Sequence, residues 1–304
     1  MAATFSWGIA ATLGRAAFTG RLLPLGEALA PIDPLILSQS RTSFSFVVLA
    51  VALGWGRGRS RLMVPAVDLG RMTLLGVLGV AASNYLYYLA IQRTNVATAI
   101  ILQYTAPVLV LLYMVARGMQ RATVKRVAAV GLAVLGSALA IGVGGAGGIR
   151  LDSIGVVAAL LAAAAFAFYN ILGHQILGRY DRWIVLLYTT LTASVFWLVV
   201  NPPWKLAAAH YSGRQWGFLA LFAMVSVLAP FSFYFAGLQH LEPTRAIVAS
   251  CMEPVFSIVL AAGLLGEGLK AAQVLGIVVV LAAIVIVQLP EGAGAEGAVV
   301  EPIE

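Results

Sequence analysis

Apolar runs of about 20 residues follow one another along nearly the whole chain, with short polar stretches between them. A run of that length crosses the hydrocarbon core of a bilayer as one α-helix. The pattern predicts ten spans: residues 4–25, 34–55, 69–91, 96–116, 124–143, 154–173, 183–200, 215–238, 244–265 and 271–289. The runs are continuous, whereas the strands of a transmembrane barrel alternate, so a barrel is excluded. The expected fold class is an all-α membrane protein.

Two stretches are alike. Residues 90–112 read AIQRTNVATAIILQYTAPVLVLL and residues 237–259 read GLQHLEPTRAIVASCMEPVFSIV. Aligned without gaps at an offset of 147, they place Gln92 on Gln239, Ala99 and Ile100 on Ala246 and Ile247, and Pro107 on Pro254. Gly8 and Gly155 keep the same offset, and Asp33 and Asp181 differ by one more. The chain therefore reads as two repeats. The first covers 1–143, a glycine-rich linker 144–153, and the second 154–290; the acidic, low-complexity tail 291–304 is expected to be disordered. Five spans per repeat is odd, so the second repeat enters the membrane from the opposite side. Inverted-topology repeats of this kind are common in secondary transporters.

Composition agrees. Hydrophobic residues make up 61% of the chain and charged ones 10%, against roughly 25% charged in a soluble domain. The net charge of +7 reads as cytoplasmic loop charge and not as a nucleic-acid surface. With the N-terminus inside, the inner loops hold Arg57, Arg59, Arg61, Arg71, Arg117, Arg121, Lys125, Arg126, Arg179, Arg182 and Arg245. The outer side holds Arg21, Arg93, Arg150, Lys205, Arg214 and Lys270. The inner excess predicts that both termini are cytoplasmic. Cys251 is the only cysteine, which leaves neither a disulfide framework nor a cysteine metal site. Met1 to Thr4 carries no basic n-region, so the first segment is expected to stay as a helix. No cofactor or metal is expected, since His174, His210 and His240 lack metal spacing and no Walker or GxSxG motif occurs.

Three ionisable residues fall well inside spans: Arg15, Arg41 and Glu253. A charge at mid-bilayer costs at least ~2.5–3.5 kcal/mol, so each must face protein or water. Each could serve a substrate or proton site, or make an internal ion pair or helix cap. Arg41 has few polar neighbours at its depth and reads as structural. Arg15, with Thr12, Gly14 and Thr19 nearby, leaves both roles open. Glu253 directly precedes Pro254, and its repeat partner is Ala106, so the carboxylate is not needed for shape. Glu253 and Arg15 are the candidates for gating or proton coupling, and Pro107 and Pro254 are structural.

The third span carries SNYLYYLAIQ. Tyr85 and Tyr88 share one face, and Asn84 and Tyr87 turn about 100° from it. Gln103 and Tyr104 lie at comparable depth on the fourth span. Tyr169 and Asn170 end the sixth, Phe231 and Tyr234 lie on the eighth, and Ser250 on the ninth. Asn84, Tyr85, Tyr88, Gln103, Tyr104, Tyr169, Asn170, Tyr234 and Ser250 are the substrate-binding candidates. A lining of amides and phenols suits small polar or zwitterionic solutes. Gly131, Gly136 and Gly276 are expected to let helices pack closely, within one chain or in a dimer; monomer and homodimer both remain open.

The chain resembles the drug/metabolite transporter superfamily, EamA type. The likeness rests on the span count and the inverted repeat. Specific traces are DPLILSQSRTSF, which places Arg41 near the start of helix two, and CMEPVFSIVLAAGLLGEGLKAAQVLGIVVVLAAIVIV, with Glu253, Pro254, Gly266, Glu267 and Gly276. Ala106 before Pro107 departs from that pattern in the first repeat. The tyrosine-rich third helix looks most like bacterial amino-acid exporters of the YddG kind. The resemblance implies an inner-membrane, alternating-access exporter of aromatic or neutral amino acids and related small metabolites. Spans one, three, four, six, eight and nine would line its cavity, and spans two and seven would gate it. The partners implied are a small-molecule substrate and the lipid bilayer. Alternatives are a sugar-phosphate or nucleotide-type carrier, which would need a deep basic cluster, a lipid-acting membrane enzyme, and a non-transporting membrane protein.

Overall fold

The computed structural model describes residues 1–19, 32–56, 62–94, 96–141, 152–265 and 269–289. Most of the predicted linker, the tail, Gly266 and Glu267 lie outside the described residues, as does the side chain of Arg15.

The described chain is helical throughout. Its helices are α1 (Ala2–Thr19), α2 (Pro34–Gly56), α3 (Ala66–Arg93), α4 (Val96–Gln103), α5 (Ala106–Ala116), α6 (Val124–Ile141) and α7 (Ser153–Leu177), followed by α8 (Arg182–Val200). A short α9 (Pro203–Ala208) comes next, then α10 (Gly213–Leu238), α11 (Pro243–Ser250), α12 (Glu253–Leu265) and α13 (Ala271–Gln288). Among the described residues nine helices are long and apolar enough to cross a membrane, counting α4 with α5 and α11 with α12 as continuous spans. The eighteen-residue α1 packs on α12 and α10.

Helix starts follow local chemistry. The Asp33 carboxylate accepts from the N–H groups of Leu35 and Ile36 at 2.8 and 3.1 Å. Asp181, its counterpart in the second repeat, accepts from Trp183 N–H at 2.9 Å. The aligned acids are thus N-caps, each worth about 1 kcal/mol of helix stability. Asp152 caps α7 through Gly155 N–H at 2.9 Å, and Ser212 and Gln215 form a capping box on α10.

The spans with a central proline are broken. In the first, Tyr104 and Thr105 form a turn between α4 and α5; in the second, Cys251 and Met252 do so between α11 and α12. Pro107 and Pro254 sit in the first turns that follow. Proline lacks an N–H and its ring clashes with the carbonyl four residues back, so the helix restarts there. The offset of 147 carries one break onto the other.

Two other spans widen without breaking. Residues Leu75–Ala82 of α3 and Met224–Leu228 of α10 are π-helical. Shifted by 147, the second stretch falls on residues 77–81. In the first, Gly76 and Gly79 press on α8 and α7. A Cβ on Gly76 would lie 2.5 Å from Thr189 O, and one on Gly79 would lie 3.0 Å from Tyr169 Cβ.

Packing interleaves the two halves: α2 lies against α8, α6 against α13, α3 against α7 and α8, α1 against α12 and α10, and α5 against α7. The largest core gathers Met72, Leu75, Tyr169, Leu186, Trp197, Phe235 and Leu238. The α6–α13 contact is closest at glycines. A Cβ on Gly276 would meet Ala140 N at 2.3 Å, and one on Gly136 would meet Val280 N at 2.8 Å. Gly131 meets nothing within 4 Å, so this glycine has no part in close packing within the chain. Val47, Val51, Leu161, Val195, Val199, Val278 and Val285 point outward as an apolar surface suited to lipid.

Candidate substrate site

Arg41 lies seven residues into α2, about 10 Å from its start. Its Nη2 donates to Asn84 Oδ1 on α3. Its Nε is buried and has no hydrogen-bond partner, and Arg41 joins no ion pair among the described residues. Asn84 is held in place by its own Nδ2, which donates to Val80 O at 2.7 Å.

Glu253 begins α12 at the break in its span. Its Oε2 accepts from the Tyr104 hydroxyl at 3.2 Å, so the two helix breaks meet through one hydrogen bond. A carboxylate is favoured there by the α12 N-terminus. Glu253 likewise joins no ion pair among the described residues. Tyr87 lies on α3 three residues after Asn84, one helical turn along from the amide that holds Arg41. Tyr87 also packs on Tyr88, ring centroids 5.7 Å apart.

Tyr169, Asn170 and Tyr234 come together beside this region. Asn170 Nδ2 donates to Phe166 O at 2.7 Å, and its Oδ1 accepts from the Tyr234 hydroxyl. Both amides, Asn84 and Asn170, thus tie back one turn and present an oxygen to a partner. Tyr169 stacks on Phe166, Tyr234 and Phe235, while its buried hydroxyl has no partner. Trp7 on α1 closes the cluster, with ring centroids 5.2 Å from Tyr234 and 5.4 Å from Phe231.

Other predicted residues are placed differently. Tyr85 turns to Trp197 on α8, centroids 6.4 Å apart. Ser250 Oγ donates to Ile247 O at 2.6 Å within its own helix. Gln103 is half-buried at the end of α4. Sequence reasoning named neither Trp7 nor Tyr87 as lining. Tyr87 stood in the quoted motif, but residues 83–88 carry polar groups on every face, so a helical wheel cannot say which face turns inward.

Polar links between the halves flank this centre. At the end holding the start of α11, Glu242 Oε2 accepts from Gln120 Nε2 at 3.0 Å and from Arg126 Nη2 at 3.1 Å. Thr244 donates to Gln120 Oε1 at 2.7 Å. Between the starts of α3 and α8, the Tyr180 hydroxyl donates to Asp68 at 2.6 Å, which raises that phenol above its ordinary pKa. At the start of α2, the Asp33 N–H donates to the Tyr211 hydroxyl at 2.9 Å. Farther along α2, Asn201 Nδ2 donates to Gln39 Oε1 at 2.7 Å.

An all-helical, multi-span bundle in which Arg41 and Glu253 lie within the helices and join no ion pair among the described residues fits a membrane transporter. The EamA-like transporter family matches residues 1–142 and 153–289, and the chain belongs to that family. It is 23% identical over 220 residues to the uncharacterized inner membrane transporter YicL of Salmonella typhimurium, covering 72% of each chain. It is 29% identical over 210 residues to the threonine/homoserine exporter RhtA of the same species, covering 68% of this chain and 67% of RhtA. A solved crystal structure shares the fold with a TM-score of 0.76 at 18% identity, over 94% of each chain. The protein is a multi-pass membrane transporter of small molecules.

Proposed function

We propose that this transporter exports neutral or aromatic amino acids and related small metabolites through a central alternating-access site. The observation that carries the reading is the pair Arg41 and Glu253. Both lie deep in the helices, both keep part of their surface uncovered, and neither joins an ion pair among the described residues. A charge in lipid is too costly to persist, so the uncovered surface faces an internal aqueous space. Phenol rings and amides around it offer hydrogen bonds and π-faces. The likeness to the threonine/homoserine exporter RhtA supports the substrate class, as does the sequence resemblance to exporters of the YddG kind.

The two five-span repeats, with α1 counted as a span, run in opposite senses with both termini cytoplasmic. The helices that pack on their own counterparts, α2 on α8 and α6 on α13, suit a pseudo-two-fold axis between halves. The Glu242 and Asp68 links then form the inner gate, and the Asp33 and Gln39 links the outer one. Asn84, Tyr88, Gln103 and Tyr104, each partly uncovered, line the path, the buried Tyr169, Asn170 and Tyr234 stand behind it, and Glu253 and Arg41 anchor it. A sugar-phosphate carrier is disfavoured because Glu253 would repel the phosphate.

Proteoliposomes loaded with labelled amino acids test this directly. Efflux above protein-free vesicles is expected for at least one neutral amino acid. Flux confined to phosphorylated solutes would reject the amino-acid reading.

A further inference from the structure

Resting on the amino-acid reading, we infer that Arg41 and Glu253 form a zwitterion clamp: the substrate carboxylate binds Arg41, and the substrate ammonium binds Glu253. Asn84, Tyr87 and Tyr104 position the two ends.

The arrangement is unusual for two opposite charges in a membrane interior. Each is costly to bury, and each would normally be compensated by a partner of opposite sign. Arg41 is tied to α3 through Asn84, Glu253 to the α4–α5 turn through Tyr104, and the end of α3 packs on α4, yet neither charge joins an ion pair among the described residues. Each is instead tethered by one neutral group, Arg41 by Asn84 and Glu253 by Tyr104. The tethers leave bonding capacity free. Arg41 Nε is buried without a partner, and the guanidinium fork can still receive a carboxylate. Glu253 retains a carboxylate oxygen, Oε1, for which no protein donor is placed.

A solute carrying both charges satisfies both residues at once. A simple anion would gain Arg41 and meet repulsion from Glu253; a simple cation would meet the converse. Selection for a zwitterion therefore follows from the sign of each wall and not from cavity shape alone. Arg41 changes from a helix-packing residue into a specificity residue on a predicted gate helix.

The test uses purified full-length protein and three probes: phenylalanine, phenylalaninamide, which lacks the carboxylate, and N-acetylphenylalanine, which lacks the ammonium. Each is measured as a competitor of labelled amino-acid counterflow and as a stabiliser of the detergent-solubilised protein against heat. The second readout is insensitive to passive leak of the analogues. Wild type should prefer phenylalanine over each analogue by about tenfold or more, the worth of one charge-assisted hydrogen bond. Arg41→Gln should erase the preference over the amide while keeping that over the N-acetyl compound. Glu253→Gln should do the reverse, and Arg41→Lys should retain part of the preference. A wild type that binds the amide as well as phenylalanine overturns the inference, and so does an Arg41→Gln protein that weakens all three probes equally. The wild-type comparison decides even if a variant fails to fold. If a labelled solute of another class is carried and no amino acid competes, the transport reading itself fails, and the clamp with it.

Discussion

At the scale of single residues, the two tyrosines of the aromatic cluster have opposite relations to their hydroxyls. Tyr234 donates to Asn170, whereas the Tyr169 hydroxyl is buried without a partner. A buried polar group left unpaired costs free energy, while a satisfied one contributes about 1 kcal/mol. Tyr169→Phe should therefore leave thermal stability unchanged or raise it by up to ~1 kcal/mol, and Tyr234→Phe should lower it by about that much. Thermal unfolding in detergent measures both; equal losses would contradict the assignment. Amide and phenol residues at these depths were legible in the sequence. Their partners were not, because a hydrogen bond such as Tyr104 to Glu253 joins positions far apart in the chain. The same limit left Arg41 reading as structural: its free Nε depends on what does not approach it from other helices.

At the scale of elements, glycines decide where helices touch. A Cβ on Gly276 would strike backbone atoms of α6, which cannot move aside as a flexible side chain can. Gly276→Ala should therefore cost about 1–3 kcal/mol through overpacking. Gly131→Ala, on an open face, should be neutral or slightly stabilising by helix propensity. Chemical unfolding of the two variants separates them, and equal midpoints would refute the contact. The sequence exposed all three glycines as candidates but not their rotation about the helix axis, which only the partner helix fixes. The breaks, too, trace to single residues. Pro107 and Pro254 each remove a donor inside an apolar run, and both spans divide just before them. Asp33 and Asp181 were visible as a repeated pair, and their capping role follows from where the apolar runs begin.

At the scale of the whole molecule, the halves meet through polar links at both ends. Glu242→Ala removes the acceptor shared by Gln120 and Arg126. Hydrogen exchange followed by mass spectrometry should then rise over residues 117–123 and 240–246 and stay unchanged over 33–39. A rise at both ends, or none, would show that these links do not gate one side alone. The multi-span build could be read from hydrophobic runs, since the bilayer imposes length on every crossing, and the family match falls on two successive stretches as the repeat suggests. The short α9 could not, because its six residues are too few to leave a periodic signature.

The widened turns of α3 and α10 bear on how such a bundle can move. In hydrocarbon a helix cannot unwind, because freed backbone groups find no water. A π turn holds one surplus residue while keeping backbone groups bonded. Passing that surplus along the helix exchanges acceptors one at a time and swivels the side chains between its old and new positions by about 100°. The stretch at Leu75–Ala82 directly precedes Asn84, and that at Met224–Leu228 precedes Phe231 and Tyr234. Among the described residues the bundle thus carries two such bearings, one in each half, where a turn of helix can revolve without coming apart.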